Sequence, residues 1–312
     1  MTNILKGDYV NKLTVDYINT SVKEAPEKII SESENRYKSI IDTTAERICS
    51  SKGRTLVMVA GPSSSGKTTT SKLLKKAIEE KGRRAKMISL DDFYRSHGAI
   101  YTFEDGTVDY ETVKALDVDY IGECLHSLMN EGRCRLPRFS FKTKKREYYV
   151  ETVAAQDDII IVEGLHALNP VITDQLENEQ MVKIYVSVSS RIFDGDEVLM
   201  SKRDIRLLRR MIRDYHHRDS SPENTFYLWN GVRMGEDRYL FPFEDRADIK
   251  IDSIHPYEVC AFKDVGIKVL DRTDKKSVYY PEAQRLKDKI SRFISVGESS
   301  VPEGSLLNEF IG

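Results

Sequence analysis

Residues 55–81 constrain the fold more than any other stretch. Thr55-Leu-Val-Met-Val-Ala60 is a short apolar, β-branched run that reads as a buried strand. Gly61-Pro62-Ser63-Ser64-Ser65-Gly66-Lys67-Thr68 follows directly and fits the pattern Gly-x4-Gly-Lys-Ser/Thr at every fixed position. From Thr68 to Lys81, Leu73, Leu74, Ala77 and Ile78 recur at helical spacing. Strand, glycine loop and helix in that order make a phosphate-binding loop. Gly61 and Gly66 permit the tight turn, so the N–H groups of Ser63, Ser64, Ser65, Gly66, Lys67, Thr68 and Thr69 face an anion that the helix dipole also attracts. Lys67 reaches the β- and γ-phosphates and the Thr68 hydroxyl ligates Mg²⁺. A serine-rich surface loop can match the letters by chance, but not the flanking strand and helix. The stretch predicts a nucleoside triphosphate site.

Beyond it, strands and helices alternate. Strands are expected at Lys86–Leu90, Asp158–Val162, Gln180–Val186 and Ala247–Ile251. Helices are expected at Val118–Asn130, in a basic segment from about Glu197 to His217, and within Lys275–Phe293. Near-continuous apolar strands separated by helices predict an α/β fold with a parallel sheet covered by helices on both faces. Ahead of it, Ile29, Ile30, Tyr37, Ile40, Ile41 and Ile48 form a helical stripe between Val22 and Ser51. The sequence holds 48 Lys plus Arg against 50 Asp plus Glu, a formal net charge of −2, so nothing draws the whole chain toward nucleic acid or an anionic membrane. Cys49, Cys124, Cys134 and Cys260 form no Cys-x-x-Cys pair, which suits reduced thiols. No apolar run has the length of a membrane span, and Met1–Asp8 lacks the apolar core of a leader; a soluble cytoplasmic protein is expected.

In open parallel sheets, ligands meet the carboxyl ends of the strands. Asp91-Asp92 follows the second strand, where a carboxylate serves either as a base that accepts a hydroxyl proton or as a turn cap. Glu163 closes the third strand, as a second anchor for Mg²⁺ beside Thr68 or as a capping residue. Arg206, Arg209, Arg210 and Arg213 share one helical face, opposite Leu207, Leu208, Met211 and Ile212. Such a face suits phosphate oxygens, a solvated surface or an RNA groove. Between the second and third strands, residues 91–157 are too long for a plain connector. Their carboxylates suit a ribose diol and their aromatics a flat base, although aromatics are more often core.

Together these segments resemble the uridine kinase/phosphoribulokinase family of P-loop kinases. The resemblance rests on the phosphate loop, Ser89-Leu-Asp-Asp-Phe-Tyr-Arg95, Ile161-Val-Glu-Gly-Leu-His-Ala-Leu-Asn169 and Asp204-Ile-Arg-Leu-Leu-Arg-Arg-Met-Ile-Arg-Asp214. A bacterial uridine/nucleoside kinase branch also shows segments like Trp229–Glu236 and Ser305–Gly312. The resemblance implies a P-loop NTPase fold with an N-terminal helical extension at 1–53, a kinase domain at 54–270 with a helical lid at about 197–235, and a C-terminal helix and tail at 271–312 packed on it. It implies that Asp91 is the catalytic base and that Asp109 holds the ribose hydroxyls. Tyr94, Phe139 and Phe141 would line the acceptor, with Arg206 a lid arginine at the substrate and the reacting group. Arg210 and Arg213 would face the phosphates, and Thr68 with Glu163 would support Mg²⁺. One departure stands out: Phe139-Ser140-Phe141 occupies the place where uridine kinases present Tyr-Asp-Phe and a nearby histidine.

The implied activity is transfer of the γ-phosphoryl group of ATP to the 5′-hydroxyl of a uridine- or cytidine-like nucleoside. A sugar phosphate or pantothenate is an alternative acceptor, for which Lys142, Lys144, Lys145 and Arg146 offer cations. A nucleotide-binding regulator or RNA-associated protein is the alternative of another class. The expected partners are a small molecule and ATP, without nucleic acid or membrane. Members of this family are often homo-oligomers.

Overall fold

The computed structural model describes residues 3–5, 12–96 and 101–312. Most of the stretch read above for a leader, Met1–Asp8, lies outside the described residues. The chain begins with β1 (Asn3–Leu5), α1 (Val15–Glu24), α2 (Pro26–Cys49), β2 (Thr55–Ala60), α3 (Lys67–Glu80) and β3 (Ala85–Ser89). Next come α4 (Val118–Asn130), β4 (Arg133–Ser140), β5 (Lys145–Val153), β6 (Ile159–Glu163), α5 (Pro170–Thr173) and β7 (Met181–Ser187). The remainder is β8 (Ile192–Asp194), β9 (Glu197–Met200), α6 (Lys202–Arg218), α7 (Pro222–Tyr239), β10 (Ile249–Asp252), α8 (Glu258–Leu270), α9 (Tyr280–Ser291) and α10 (Asn308–Ile311).

Six of these strands form one sheet in the order β1-β10-β7-β2-β6-β3, and every pairing is parallel. The pleat divides β2 between two cores. Val57 and Val59 point into an apolar cluster with α1, α2, α3, α8 and α9, while Leu56, Met58 and Ala60 point into a second cluster with α4. In β6, Ile159 and Ile161 join the first cluster and Ile160 and Val162 the second. Burial on both faces explains the unbroken apolar runs, and an α/β P-loop fold results. The phosphate loop leaves the carboxyl end of β2, between β6 and β7.

Helix α2 turns its Ile29, Tyr37, Ile40, Ile41 and Ile48 stripe inward. The Tyr37 hydroxyl lies 2.6 Å from Thr70 Oγ1, which ties α2 to the helix that begins at the phosphate loop. Leu306, Leu307 and Phe310 enter the same core from the C-terminal end of the chain. Among the described residues no helix is long and apolar enough to cross a membrane.

Three segments differ from expectation. Within the stretch expected as a helical extension, β1 joins the sheet as a strand beside β10. The basic helix starts at Lys202, because Glu197–Met200 pairs antiparallel with Ile192–Asp194 in a small hairpin. Gly195 sits at φ 55 in that turn, and Ser201 with Asp204 forms a reciprocal capping box that sets the helix start. Besides the expected α4, the long stretch after β3 contains the hairpin β4–β5, whose exposed outer face hides its period-2 signal.

Candidate active site

The phosphate loop is closed by contacts that require glycine. A Cβ on Gly61 would lie 2.2 Å from the Val186 carbonyl oxygen, and Gly66 adopts φ 85 as the N-cap of α3. The Ser64 and Ser65 hydroxyls are buried without a hydrogen-bond partner. Ser63, Ser64, Gly66, Lys67 and Thr68 line a cleft of about 910 Å³. Across that cleft stand Asp91, Tyr94, Asp109, Glu111, Phe139 and Phe141, with Arg210, Arg213 and Arg218 from α6.

The Asp91-Asp92 pair divides its work. Asp92 accepts a hydrogen bond from the Phe139 amide at 3.2 Å and pairs with Arg138, fastening β4 to the 3₁₀ turn after β3. Ser89, not an aspartate, caps that turn by accepting from the Asp91 amide. Asp91 is left open to the cleft while protein crowds round it. Loss of hydration raises its pKa, opposed by Lys67 and Arg218 and reinforced by Asp92.

Glu163 lies with Oε2 3.4 Å from Thr68 Oγ1 and accepts from Ser89 Oγ at 3.0 Å. Burial raises its pKa, with Lys67 opposing and Asp91 adding to the shift. A hydroxyl and a carboxylate beside the phosphate cradle are hard oxygen donors that suit Mg²⁺. That ion is usually held by one or two carboxylates plus substrate phosphates, not by a full protein cage.

Across the cleft from the loop, Tyr94, Phe139 and Phe141 form an aromatic trio with ring centroids 5.2–5.6 Å apart. Asp109 is buried; its Oδ2 accepts from the Tyr239 hydroxyl at 2.6 Å, while Oδ1 has no partner. A buried carboxylate oxygen beside a cleft and without a donor is suited to a hydroxyl of a ligand. Of the cations between β4 and β5, Lys144 lines the cleft. Arg146 instead binds Asp117 and the carbonyls of Phe93 and Tyr94.

The arginine face of α6 turns onto the phosphate loop, and its members separate. Arg210 Nη1 donates to Ser63 Oγ at 2.8 Å. Arg210, Arg213 and Arg218 surround the buried Asp214, at 3.2–3.4 Å, and reach the cleft. Arg206 does not. It is 3% exposed, makes two 2.6 Å contacts to the Glu236 carboxylate, donates to the Ser63 carbonyl and lies 5.2 Å from the Trp229 ring centroid. Its expected role at the substrate is therefore corrected: a fully buried carboxylate holds the guanidinium under the loop. Arg209 is likewise enclosed by Glu258 and Ser253.

Three carboxylates at the site escaped the sequence reading. Glu236 accepts from the Ser63 amide at 2.8 Å, and Glu309 accepts from Thr69. Glu111 sits in the cleft with its pKa pushed up to about 7, first by burial and then by Glu236. Glu236 and Glu309 fall within the segments Trp229–Glu236 and Ser305–Gly312 noted above, and Glu111 lies two residues beyond Asp109, but neither periodicity nor the resemblance gave these carboxylates a role.

The sequence matches the Phosphoribulokinase / Uridine kinase family over residues 56–259. A uridine kinase of Staphylococcus haemolyticus is 32% identical over 202 residues, which cover 63% of this chain and 86% of that protein. A uridine kinase of Staphylococcus aureus is 30% identical, covering 64% of this chain and 88% of its own length. A solved structure described as a possible uridine kinase from Bacillus stearothermophilus aligns with 69% of this chain and 98% of its own, at 18% identity and a TM-score of 0.46. The fold, the phosphate loop and the extent of this match make the chain a member of the phosphoribulokinase/uridine kinase family and a phosphotransferase acting on an alcohol group.

Proposed function

We propose that this enzyme transfers the γ-phosphoryl group of ATP to the 5′-hydroxyl of a nucleoside. The carrying observation is the division at the end of β3: Asp92 is consumed by Arg138 and Phe139, whereas Asp91 faces the cleft within the electrostatic reach of Lys67. Asp91 accepts the proton of the attacking hydroxyl. Asp109 takes the ribose hydroxyls with Tyr239 fixing its carboxylate, and Tyr94, Phe139 and Phe141 form the wall against the base. Lys67, Arg210 and Arg213 neutralise charge on the transferred group, and the loop amides hold the phosphates. Mg²⁺, supported by Thr68 and Glu163, would supply further charge neutralisation when bound.

A phosphorylated acceptor is the second reading, favoured by Lys144 and Arg95 lining the same cleft. ADP release with ATP and Mg²⁺ across ribo- and deoxyribonucleosides, sugar phosphates and pantothenate separates the two. Turnover confined to nucleosides supports the first reading. Turnover confined to phosphorylated acceptors replaces it with the second.

A further inference from the structure

The phosphate cradle already carries an acid of its own. Glu309 Oε2 accepts hydrogen bonds from the Thr69 amide at 3.3 Å and the Thr69 hydroxyl at 2.6 Å. Thr69 lies in the first turn of α3, where backbone N–H groups have no partner inside the helix and attract negative charge. The surrounding segment is firmly seated. Leu306 covers Gly66, so that a Cβ there would meet Leu306 Cδ1 at 2.6 Å, and the Phe310 ring lies 5.1 Å from the Arg209 guanidinium.

Two carboxylates thus accept from backbone amides of this loop, and their surroundings differ. Glu236, on Ser63, is fully buried and neutralised by Arg206. Glu309 is half-buried, lines the cleft, and has no ion pair among the described residues. One is a fixed part of the scaffold. The other is a side chain held by the Thr69 donors, on a backbone that the apolar anchors hold in place.

We propose that Glu309 is an internal stand-in for a nucleotide phosphate. Its carboxylate takes the Thr69 donors that a nucleoside di- or triphosphate requires, so nucleotide entry turns it out of the cradle. The C-terminal segment thereby lowers affinity for the donor. This inference rests on the loop being the nucleotide site. Two anions cannot share one amide and one hydroxyl, and their repulsion in a partly desolvated cleft is larger than in water.

The test is calorimetric titration of the full-length protein with ADP, comparing the parent with Glu309→Gln and Glu309→Ala. Glutamine keeps the shape and an acceptor oxygen but removes the charge; alanine removes both, and neither disturbs the anchors. The expected result is a dissociation constant lowered about tenfold in Glu309→Ala, equivalent to about 1.4 kcal/mol, with Glu309→Gln intermediate. Equal or weaker ADP binding in both variants overturns the inference while leaving the nucleotide site intact. Absence of ADP binding in all three proteins overturns the reading of the loop, and the inference with it.

Discussion

At the scale of single residues, the site turns on how neighbouring carboxylates are loaded. Asp91 and Asp92 are chemically identical and adjacent, yet Arg138 and the Phe139 amide occupy Asp92 and leave Asp91 to the cleft. The raised Asp91 pKa has a kinetic consequence. The base must be ionised to act, so kcat/KM falls as pH drops through that pKa. The acid limb of the profile should therefore lie above the ordinary aspartate value of about 3.9. A limb at or below that value would contradict the assignment. Glu111 gives a stability prediction. Its folded pKa of about 7 exceeds the ordinary glutamate value of 4.5, so the folded state holds the proton more tightly. That contribution is complete below about pH 4.5 and is lost as pH rises through about 7. Glu111→Gln should leave the melting temperature unchanged near pH 4.5 and raise stability at pH 8 by about 1–3 kcal/mol. Chemical denaturation of the nucleotide-free protein at both pH values checks this; equal curves at pH 8 would refute it.

At the scale of elements, α6 carries two kinds of arginine on one face. Arg206 and Arg209 belong to the scaffold through Glu236 and Glu258, whereas Arg210 and Arg213 reach the cleft. Removing one partner of a buried pair strands the other charge, so Arg206→Ala should cost about 3–5 kcal/mol of folding stability. Arg210→Ala should lower turnover by an order of magnitude or more at a much smaller stability cost, because Asp214, its buried partner, keeps Arg213 and Arg218. Denaturant melts and steady-state kinetics on both variants test the division. Comparable stability losses would erase it. The shared face was legible in the i, i+3, i+4, i+7 spacing. Which arginines were spent internally was not, because their partners lie on α7 and α8, remote in sequence. The start of α6 was misread for a related reason: Glu197–Met200 is compatible with a helical pattern, and only its pairing with Ile192–Asp194 makes it a strand.

At the scale of the molecule, the sheet was legible because strands buried on both faces leave continuous apolar runs, and the expected boundaries at β2, β3, β6, β7 and β10 are within two residues of those observed. The loop was legible because its chemistry is local. The enclosure of the site was not. It depends on α2 reaching Thr70 through Tyr37, on Tyr239 reaching Asp109, and on the C-terminal segment reaching Thr69. Each of these is a contact between distant segments brought together by a common core, with no periodic pattern to announce it. In the proposed mechanism this assembly holds Asp91 as the base of a phosphoryl transfer. ADP release by Asp91→Asn, measured beside the parent with the best acceptor of the panel, tests it most directly, provided ADP titration shows that the variant still binds nucleotide. Turnover should fall by about 10²–10⁴ with nucleotide affinity and melting temperature retained. Turnover within a few-fold of the parent would show that another group takes the proton and that the reading of the site is wrong.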